Sequence, residues 1–180
     1  MKRILIWIAA LTMVAAAAGS PARAEMRKGA FEAGGFLYWA HFDNDSNVDD
    51  TTGGGLRFGI LFAEEHQLEF TWEHSSTEDE FFDEDVDIDT FRAGYVYNVL
   101  PNKPFSPFLT VGGGWQHVQI DAFGDEATDG LIFGGGGLRI FIGRSFNIRF
   151  DGMVELIFPP SDTLFDTLLL GGVGWVTGGR

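Results

Sequence analysis

The sequence of 180 residues contains no cysteine. It therefore has no disulfide bond, no thiol chemistry and no cysteine to which a lipoprotein anchor could be attached. Basic residues are also scarce, at 12 against 26 acidic ones. Phosphate binding needs clustered lysine and arginine, so this balance argues against nucleic acid as a partner.

Long apolar runs are absent except at the N-terminus. Residues 1–24 begin with a basic pair, continue with an apolar segment and end in Ala22-Arg23-Ala24. This order predicts a secretory signal peptide that is cleaved after Ala24. A membrane anchor is the alternative, but the apolar segment is short for a span and no second one follows. The mature chain is then one domain, residues 25–180, whose net charge is −17 because the first 24 residues hold three basic residues and no acidic one.

Alternation with period two runs through most of the mature sequence, and helical periodicity is missing. In the stretch FNIRFDGMVEL (146–156), apolar side chains occupy one face, while Asn147, Arg149, Asp151 and Glu155 occupy the other. Such alternation is typical of strands with two unlike faces. It predicts eight strands, near residues 29–42, 53–62, 67–75, 87–98, 106–119, 130–142, 146–157 and 165–177.

The connections between these strands alternate in character. Three connections are short or contain the only basic turn residues: residues 63–66, 99–106 and 143–145. Four connections are longer and acidic: residues 43–52, 75–89, 121–130 and 158–166. The long connections hold 18 of the 26 acidic residues and no lysine or arginine. Alternate connections of an up-and-down meander lie at the same end. The sequence therefore predicts a barrel with one end that carries the three short connections, which we call the tight end, and an opposite end that carries the four acidic loops, which we call the loop end.

The character of the two faces separates a membrane barrel from a soluble one. One face carries Phe, Trp, Leu and Ile, and the other carries charged residues mixed with glycines. The interior of an eight-stranded barrel is filled by side chains, so the bulky face fits better against lipid. Aromatic residues near the strand ends predict an interfacial girdle: Trp39, Trp72, Tyr95, Tyr97, Trp115 and Trp175. The alternative is a soluble β-sandwich with an aromatic core.

Two short stretches complete the pattern, GYVYN (94–98) in the fourth strand and PFLTVGGGW (107–115) in the fifth. With the signal peptide and the eight strands, the chain resembles the small outer-membrane β-barrels of Gram-negative bacteria, of the OmpA-like, OmpX-like and opacity types. The resemblance implies an all-β, eight-stranded antiparallel up-and-down transmembrane barrel in the outer membrane. We expect both termini in the periplasm, the acidic loops outside, and contacts with outer-membrane lipid, lipopolysaccharide and an extracellular partner.

Nine charged residues are predicted to face the barrel interior as a network. They are Glu32, Arg57, Glu69, Glu73, Arg92, Arg139, Arg149, Asp151 and Glu155. Charges in a narrow barrel are unfavourable unless they are paired and hydrogen-bonded. The hairpin around residue 144 sets Arg139 close to Arg149, so we expect carboxylates between them. The structural interpretation is a network that plugs the barrel, and the functional one is a narrow channel for ions, small solutes or a hydrophobic ligand.

The acidic loops are rich in the hard oxygen ligands that Ca²⁺ and Mg²⁺ prefer. The candidates for weak divalent-cation binding are Asp79, Asp83, Glu84 and Asp85. The loops do not match the EF-hand pattern, which needs a central glycine and a closing glutamate. We therefore expect loosely held counterions between the protein and lipopolysaccharide, with no specific metal site and no cofactor.

A lipid A-modifying enzyme is a further alternative, because some eight-stranded outer-membrane barrels use a histidine, a serine and a carboxylate. His74 and Ser76 share one face of their strand, whereas Ser75 points to the other. No extended motif of those enzymes surrounds the pair. We expect a protein without enzymatic activity.

Four consecutive glycines interrupt the strand LIFGGGGLRIFI (131–142). They are not a phosphate-binding loop, because the Gly-Lys-Ser/Thr ending is missing and no helix follows. Alternation predicts that Gly135 and Gly137 face inward and leave volume for the arginines, while Gly134 and Gly136 face lipid. Pairing of the fifth and sixth strands is predicted to set residues 112–114 opposite residues 137–139.

Overall fold

The chain folds as a closed barrel of eight antiparallel strands in a computed structural model, which describes residues 26–42, 50–78, 85–120, 125–160 and 163–178. The strands are β1 Phe31–His41, β2 Thr51–Leu61, β3 His66–Glu78, β4 Asp85–Asn98, β5 Phe105–Ile120, β6 Asp125–Ile142, β7 Phe146–Phe158 and β8 Leu164–Thr177. Each strand pairs with its neighbours in sequence, and β1 pairs with β8 to close the barrel. The predicted fold class is confirmed. The predicted signal peptide lies outside the described residues.

The strands extend further toward the loop end than the sequence predicted. Residues 75–78 of β3 pair with residues 85–88 of β4, within a segment that was expected to be a loop. The side chains of Val86 and Ile88 face the interior there and are buried. Apolar side chains thus remain inside as the ladder continues, which explains why pairing persists. No helix in the described part of the chain could span a bilayer.

The outer wall of the barrel is apolar, as the alternation predicted. Phe58, Phe70 and Phe150 each expose about half of their surface, at 46%, 45% and 53%. The aromatic girdle lies along both rims of this wall. Trp39, Trp72 and Trp115 lie toward the loop end, and Tyr95, Tyr97 and Trp175 lie toward the tight end.

The interior contains two apolar clusters that the sequence did not predict. The tight-end cluster consists of Met26, Ala30, Leu61, Phe141 and Val176. The loop-end cluster consists of Phe36, Tyr38, Ala40, Leu131, Phe133, Met153, Ile157, Leu168 and Leu170. Aromatic side chains are therefore not confined to the lipid-facing wall, and the interior combines charged layers with apolar ones.

Inward-facing glycines make room for the interior aromatic rings. A Cβ atom at Gly94 or Gly112 would lie 2.7 Å from the Phe133 ring, and one at Gly137 would lie 2.6 Å from the Phe108 ring. Gly135 also faces inward, where a Cβ atom would lie 2.9 Å from Met153. The inward direction was predicted correctly, but the expected reason was wrong. The glycines leave volume chiefly for rings and Met153 instead of for the arginines themselves.

The predicted alignment of β5 with β6 is also wrong. Gly112 pairs with Phe133 and Gly114 pairs with Leu131, whereas Gly137 pairs with Phe108. The two strands continue to Ile120 and Asp125, which pair with each other. The turn between β5 and β6 therefore lies earlier in the sequence than the centre of the predicted loop over residues 121–130.

Candidate functional site

All nine charged residues of the predicted network face the barrel interior and are buried. They fall into two groups along the barrel axis. We call the group toward the tight end the lower charge layer; it consists of Glu32, Arg57, Glu69, Arg139, Arg149 and Asp151. The group toward the loop end, the upper charge layer, contains Glu73, Arg92 and Glu155, to which the structure adds Asp166.

Arg139 is the largest fully buried side chain of the barrel. Its Nη2 atom lies 3.0 Å from Glu32 Oε2 and donates a hydrogen bond of 3.1 Å to Gln67 Oε1, while Nη1 donates to Asn98 Oδ1. The two oxygens of Glu32 accept further hydrogen bonds from Gln67 Nε2 at 2.8 Å and from Asn147 Nδ2 at 3.2 Å. This pair is thus surrounded by three amide side chains, which supply the hydrogen bonds that burial removes from water.

Arg149 joins two carboxylates in the same layer. Its Nη1 and Nη2 atoms bind Glu69 Oε2 and Oε1 at 2.5 Å and 3.0 Å, and its Nε atom donates to Asp151 Oδ1 at 2.7 Å. Arg139 pairs with Arg149 across the β6–β7 ladder, and Glu69 Oε2 lies 3.8 Å from Arg139 Nη2. A carboxylate therefore lies between the two arginines. Asp151 Oδ2 in turn binds Arg57 Nη1 at 2.7 Å.

Two phenylalanine rings pack against the three guanidinium groups. The Cζ atoms of Arg139 and Arg149 lie 4.8 Å and 4.1 Å from the centroid of the Phe108 ring. The Cζ atom of Arg57 lies 4.5 Å from the centroid of Phe36. Cation–π contacts of this kind become stronger when the cation is removed from water. The rings thus fill the space beside the charges and stabilise them.

The upper charge layer is centred on Arg92. Its Nε and Nη2 atoms bind the two oxygens of Glu155 at 2.5 Å and 2.7 Å, and its Nη1 atom binds Glu73 Oε2 at 2.5 Å. Asp166 is buried and pairs with Glu155 in the β7–β8 ladder. Three carboxylates therefore share a small cavity with one guanidinium group, beside Tyr38. The upper layer carries an excess of negative charge that the lower layer lacks.

Four polar members of the two layers were absent from the predicted network: Gln67, Asn98, Asn147 and Asp166. The alternation of their strands places all four on the inward face, so the signal for them was present. The three amides carry no charge, so a pattern of charged residues does not indicate them. Asp166 lies where the predicted loop (158–166) overlaps the predicted eighth strand (165–177), and β8 begins at Leu164 and includes it.

The candidate cation ligands Asp79, Asp83 and Glu84 lie outside the described residues. Asp85 is the first residue of β4 and pairs along the backbone with Glu78. Within the residues that the structure describes, no three acidic or histidine side chains are arranged to hold a metal ion. Divalent-cation binding therefore stays a prediction about the loops.

The pair considered for catalysis lies on the outer face near the loop end. His74 Nδ1 lies 3.2 Å from Asp89 Oδ1, and Ser76 Oγ donates to Asp87 Oδ1 at 2.5 Å. Each side chain thus binds its own carboxylate, and no hydrogen bond joins His74 to Ser76 in the part of the chain that the structure describes. This arrangement does not supply the serine–histidine contact that activation of the hydroxyl requires.

Comparison with solved structures identifies several similar barrels. Neisserial surface protein A has a TM-score of 0.66 and 13% identity, over 82% of this chain and 99% of that one. OprG from Pseudomonas aeruginosa has a TM-score of 0.59 and 14% identity, over 85% and 98%. The attachment invasion locus protein Ail of Yersinia pestis has a TM-score of 0.58 and 16% identity, over 83% and 99%. At such identities, these similarities show the fold alone.

Comparison with the curated proteins finds no match. A family model, described as the outer membrane protein beta-barrel domain, matches residues 8–175, which is most of the chain. This match agrees with the closed eight-stranded barrel, its apolar outer wall and its aromatic rims. The chain therefore belongs to the outer membrane protein β-barrel family.

Proposed function

We propose that this protein is a closed outer-membrane barrel with a structural and surface-interaction role and no enzymatic activity. In this proposal the lower charge layer plugs the lumen, and the four acidic loops face the outside and contact the surroundings of the cell. The observation that carries the proposal is the burial of Arg139, with Glu32, Gln67 and Asn98 bound to it from different strands.

The geometry of the lower layer supports closure on energetic grounds. Its three guanidinium groups and three carboxylates are joined by ion pairs of 2.5 to 3.0 Å, so an ion that passes must separate buried pairs. Breaking one buried pair by removing a partner costs about 3–5 kcal/mol. The tight-end apolar cluster adds to this barrier, because the side chains of Phe141 and Leu61 cannot replace the water around an ion.

The composition of the loops supports the surface part of the proposal. One of the similar structures is described as Ail in complex with a heparin analogue, sucrose octasulfate. The four segments that join the strands at the loop end of the present chain, residues 42–50, 79–84, 121–124 and 159–163, carry ten acidic residues and no lysine or arginine, so they would repel such a polyanion. We infer that the loops contact neutral or cationic surfaces, and that divalent cations link them to lipopolysaccharide.

A narrow cation path is the second candidate function. The excess of carboxylates in the upper layer favours it, because Glu73, Glu155 and Asp166 would attract cations from the loop end. This path still ends at the lower layer. The two candidates therefore differ in one respect only, which is whether the lower layer opens.

Conductance in planar bilayers tests the proposal. The purified full-length barrel is expected to give no steady openings, whereas Arg139→Ala is expected to give small, cation-selective ones because it removes the central guanidinium group. Arg27→Ala, at an exposed position before β1, is the matched control. Steady openings of the unaltered protein that change selectivity in Arg139→Ala would reject the plug and establish the channel.

Mass spectrometry of lipid A from cells with and without the protein tests the absence of lipid A modification, and a difference that Ser76→Ala abolishes would contradict it.

A further inference from the structure

Three of the four histidines follow a tryptophan by two residues. The tripeptides are Trp39-Ala40-His41, Trp72-Glu73-His74 and Trp115-Gln116-His117, in β1, β3 and β5. These three strands all run from the tight end to the loop end. Because side chains two residues apart share a face of a strand, each histidine lies on the outer wall just beyond an interfacial tryptophan. We call this set the tryptophan–histidine rim.

The three imidazoles of the rim are held in the same way. His41 Nδ1 lies 2.8 Å from Asp50 Oδ1, and its ring stacks on Trp39 with centroids 5.9 Å apart. His74 Nδ1 lies 3.2 Å from Asp89 Oδ1, and the Trp72 indole donates to the same oxygen at 3.1 Å.

The third imidazole repeats this arrangement with a hydroxyl in place of the carboxylate. His117 Nδ1 lies 2.9 Å from Thr128 Oγ1, and in the β4–β5 ladder His117 also pairs with Asp89. Each Nδ1 therefore has a partner on a neighbouring strand or, for His41, on the residue just before β2. In the described part of the chain, no partner occupies Nε2 of any of the three. His41 and His74 expose 56% and 47% of their side chains, so Nε2 is accessible from the membrane.

The depth of the rim indicates what these nitrogens meet. Tryptophans on a membrane barrel lie at the boundary between hydrocarbon and headgroups. Two further residues advance the strand by about 7 Å, or about 5 Å along the bilayer normal for a strand tilted by roughly 40°. That distance sets the imidazoles at the level of the headgroup phosphates of the outer leaflet.

We propose that the tryptophan–histidine rim binds the phosphate groups of outer-leaflet lipid, through the Nε2 atoms of His41, His74 and His117, and that acid strengthens this binding. This inference rests on the orientation in the proposed function, with the loop end outside, and it does not depend on whether the lumen is closed. The partner is a phosphorylated lipid surface, and lipid A is the probe.

The dependence on acid follows from the hydrogen bonds of the rim. A carboxylate only accepts, so Asp50 and Asp89 keep the proton of a neutral imidazole on Nδ1 of His41 and His74 and leave Nε2 without one. Protonation adds the Nε2–H that donates to a phosphate oxygen, as a charge-assisted hydrogen bond.

The other groups that face the rim do not change this expectation. The partners of His74 on β2 and of His41 on β8 are Gly54 and Thr167, which carry no charge. His117 faces Asp89 and Thr128, and Asp87 lies one pair further out, where Ser76 binds it. The carboxylates near the rim repel a phosphate group while the imidazoles are neutral, and the positive charge of a protonated imidazole offsets this repulsion. Binding is therefore expected to be stronger in acid.

The test is a titration of the folded full-length protein in neutral detergent micelles with lipid A, followed by tryptophan fluorescence. We expect lipid A to bind about fivefold more tightly at roughly pH 5.5 than at roughly pH 8, since histidine changes charge in this range. The triple variant His41→Gln, His74→Gln, His117→Gln is expected to lose this acid-dependent gain. His66→Gln is the matched control, because His66 lies at the tight end, against Tyr95 and Tyr97, and should keep the gain.

Two further arms identify the ligand. Lipid A from which both phosphates have been removed is expected to show no gain in acid, and inorganic phosphate at millimolar concentration is expected not to compete. Each variant is first shown to be folded by the change in its gel mobility on boiling. A gain that persists in the triple variant, or that dephosphorylated lipid A shows equally, would overturn the proposal. Competition by inorganic phosphate would also contradict it, since the site would then recognise free phosphate.

Discussion

The lower charge layer sets three guanidinium groups against three carboxylates, whereas the upper layer sets one guanidinium group, that of Arg92, between Glu73 and Glu155, with Asp166 beside them. The lower layer also has three amide side chains and two phenylalanine rings packed into it. The upper layer lies beside a small cavity. The same residue types thus produce a densely packed network in one half of the lumen and a network beside a cavity in the other.

This difference predicts which substitutions the barrel should tolerate. In the lower layer each charged group is matched, so removing one leaves its partners buried without compensation. In the upper layer Arg92 binds two carboxylates, so removing Glu73 leaves Glu155 bound to it through two nitrogens. Substitutions of similar chemistry should therefore cost less stability in the upper layer than in the lower one.

The largest effect is expected for Arg139→Ala. Glu32, Gln67 and Asn98 would then remain in the lower layer without their common partner, and we expect a loss of about 3–5 kcal/mol in the free energy of unfolding. Urea unfolding of the protein in lipid vesicles, followed by tryptophan fluorescence, measures it. Arg27→Ala, at an exposed position, should change stability by less than about 0.5 kcal/mol. An equal effect of the two substitutions would show that the lower layer contributes little to stability.

A somewhat smaller effect is expected for Gly137→Leu. Its Cβ atom would overlap the Phe150 backbone oxygen and lie 2.6 Å from the Phe108 ring, so the β6–β7 ladder and the ring beside Arg139 and Arg149 must both shift. We expect a loss of about 1–3 kcal/mol, or failure to fold, and the same direction for Gly135→Leu. Gly134→Leu, whose Cβ atom would have no atom within 4 Å, is the control. The fraction of folded protein on gels before boiling measures the effect, and a comparable loss in Gly134→Leu would refute the packing argument.

The comparison between the layers is sharpest for two carboxylates. Glu69→Gln removes the charge that lies between Arg139 and Arg149, and we expect it to destabilise the barrel by about 2 kcal/mol. Glu73→Gln removes one of the two carboxylates that bind Arg92, and we expect a loss of about 1 kcal/mol or less, because Glu155 still binds Arg92 through two nitrogens. The two variants are compared by the same urea unfolding. Destabilisation by Glu73→Gln as large as that by Glu69→Gln would show that the two layers do not differ in this respect.

Much of the barrel could be predicted because period-two alternation follows from strand geometry and the lipid decides which face is apolar. Arg57, Arg92 and Arg149 could be placed inside for this reason. The interior rings of Phe36 and Phe108 could not, because aromatic side chains suit both lipid and a core, and only the neighbouring glycines reveal the space for them. The extra length of the strands at the loop end was not predicted for another reason. Acidic residues such as Asp87 look like loop residues, although they lie on the outer face of a strand whose inner face is apolar.

The lower layer shows that a narrow barrel can contain charge when amides and rings complete the shell around it. The most direct test is hydrogen–deuterium exchange of the arginine side chains, followed by NMR on the protein in lipid nanodiscs, with Arg139 assigned through Arg139→Lys. If the lower layer seals the lumen, the guanidinium hydrogens of Arg139 exchange far more slowly than those of the exposed Arg27. Exchange of Arg139 as fast as that of Arg27 would show that water passes the layer, and would contradict the plug.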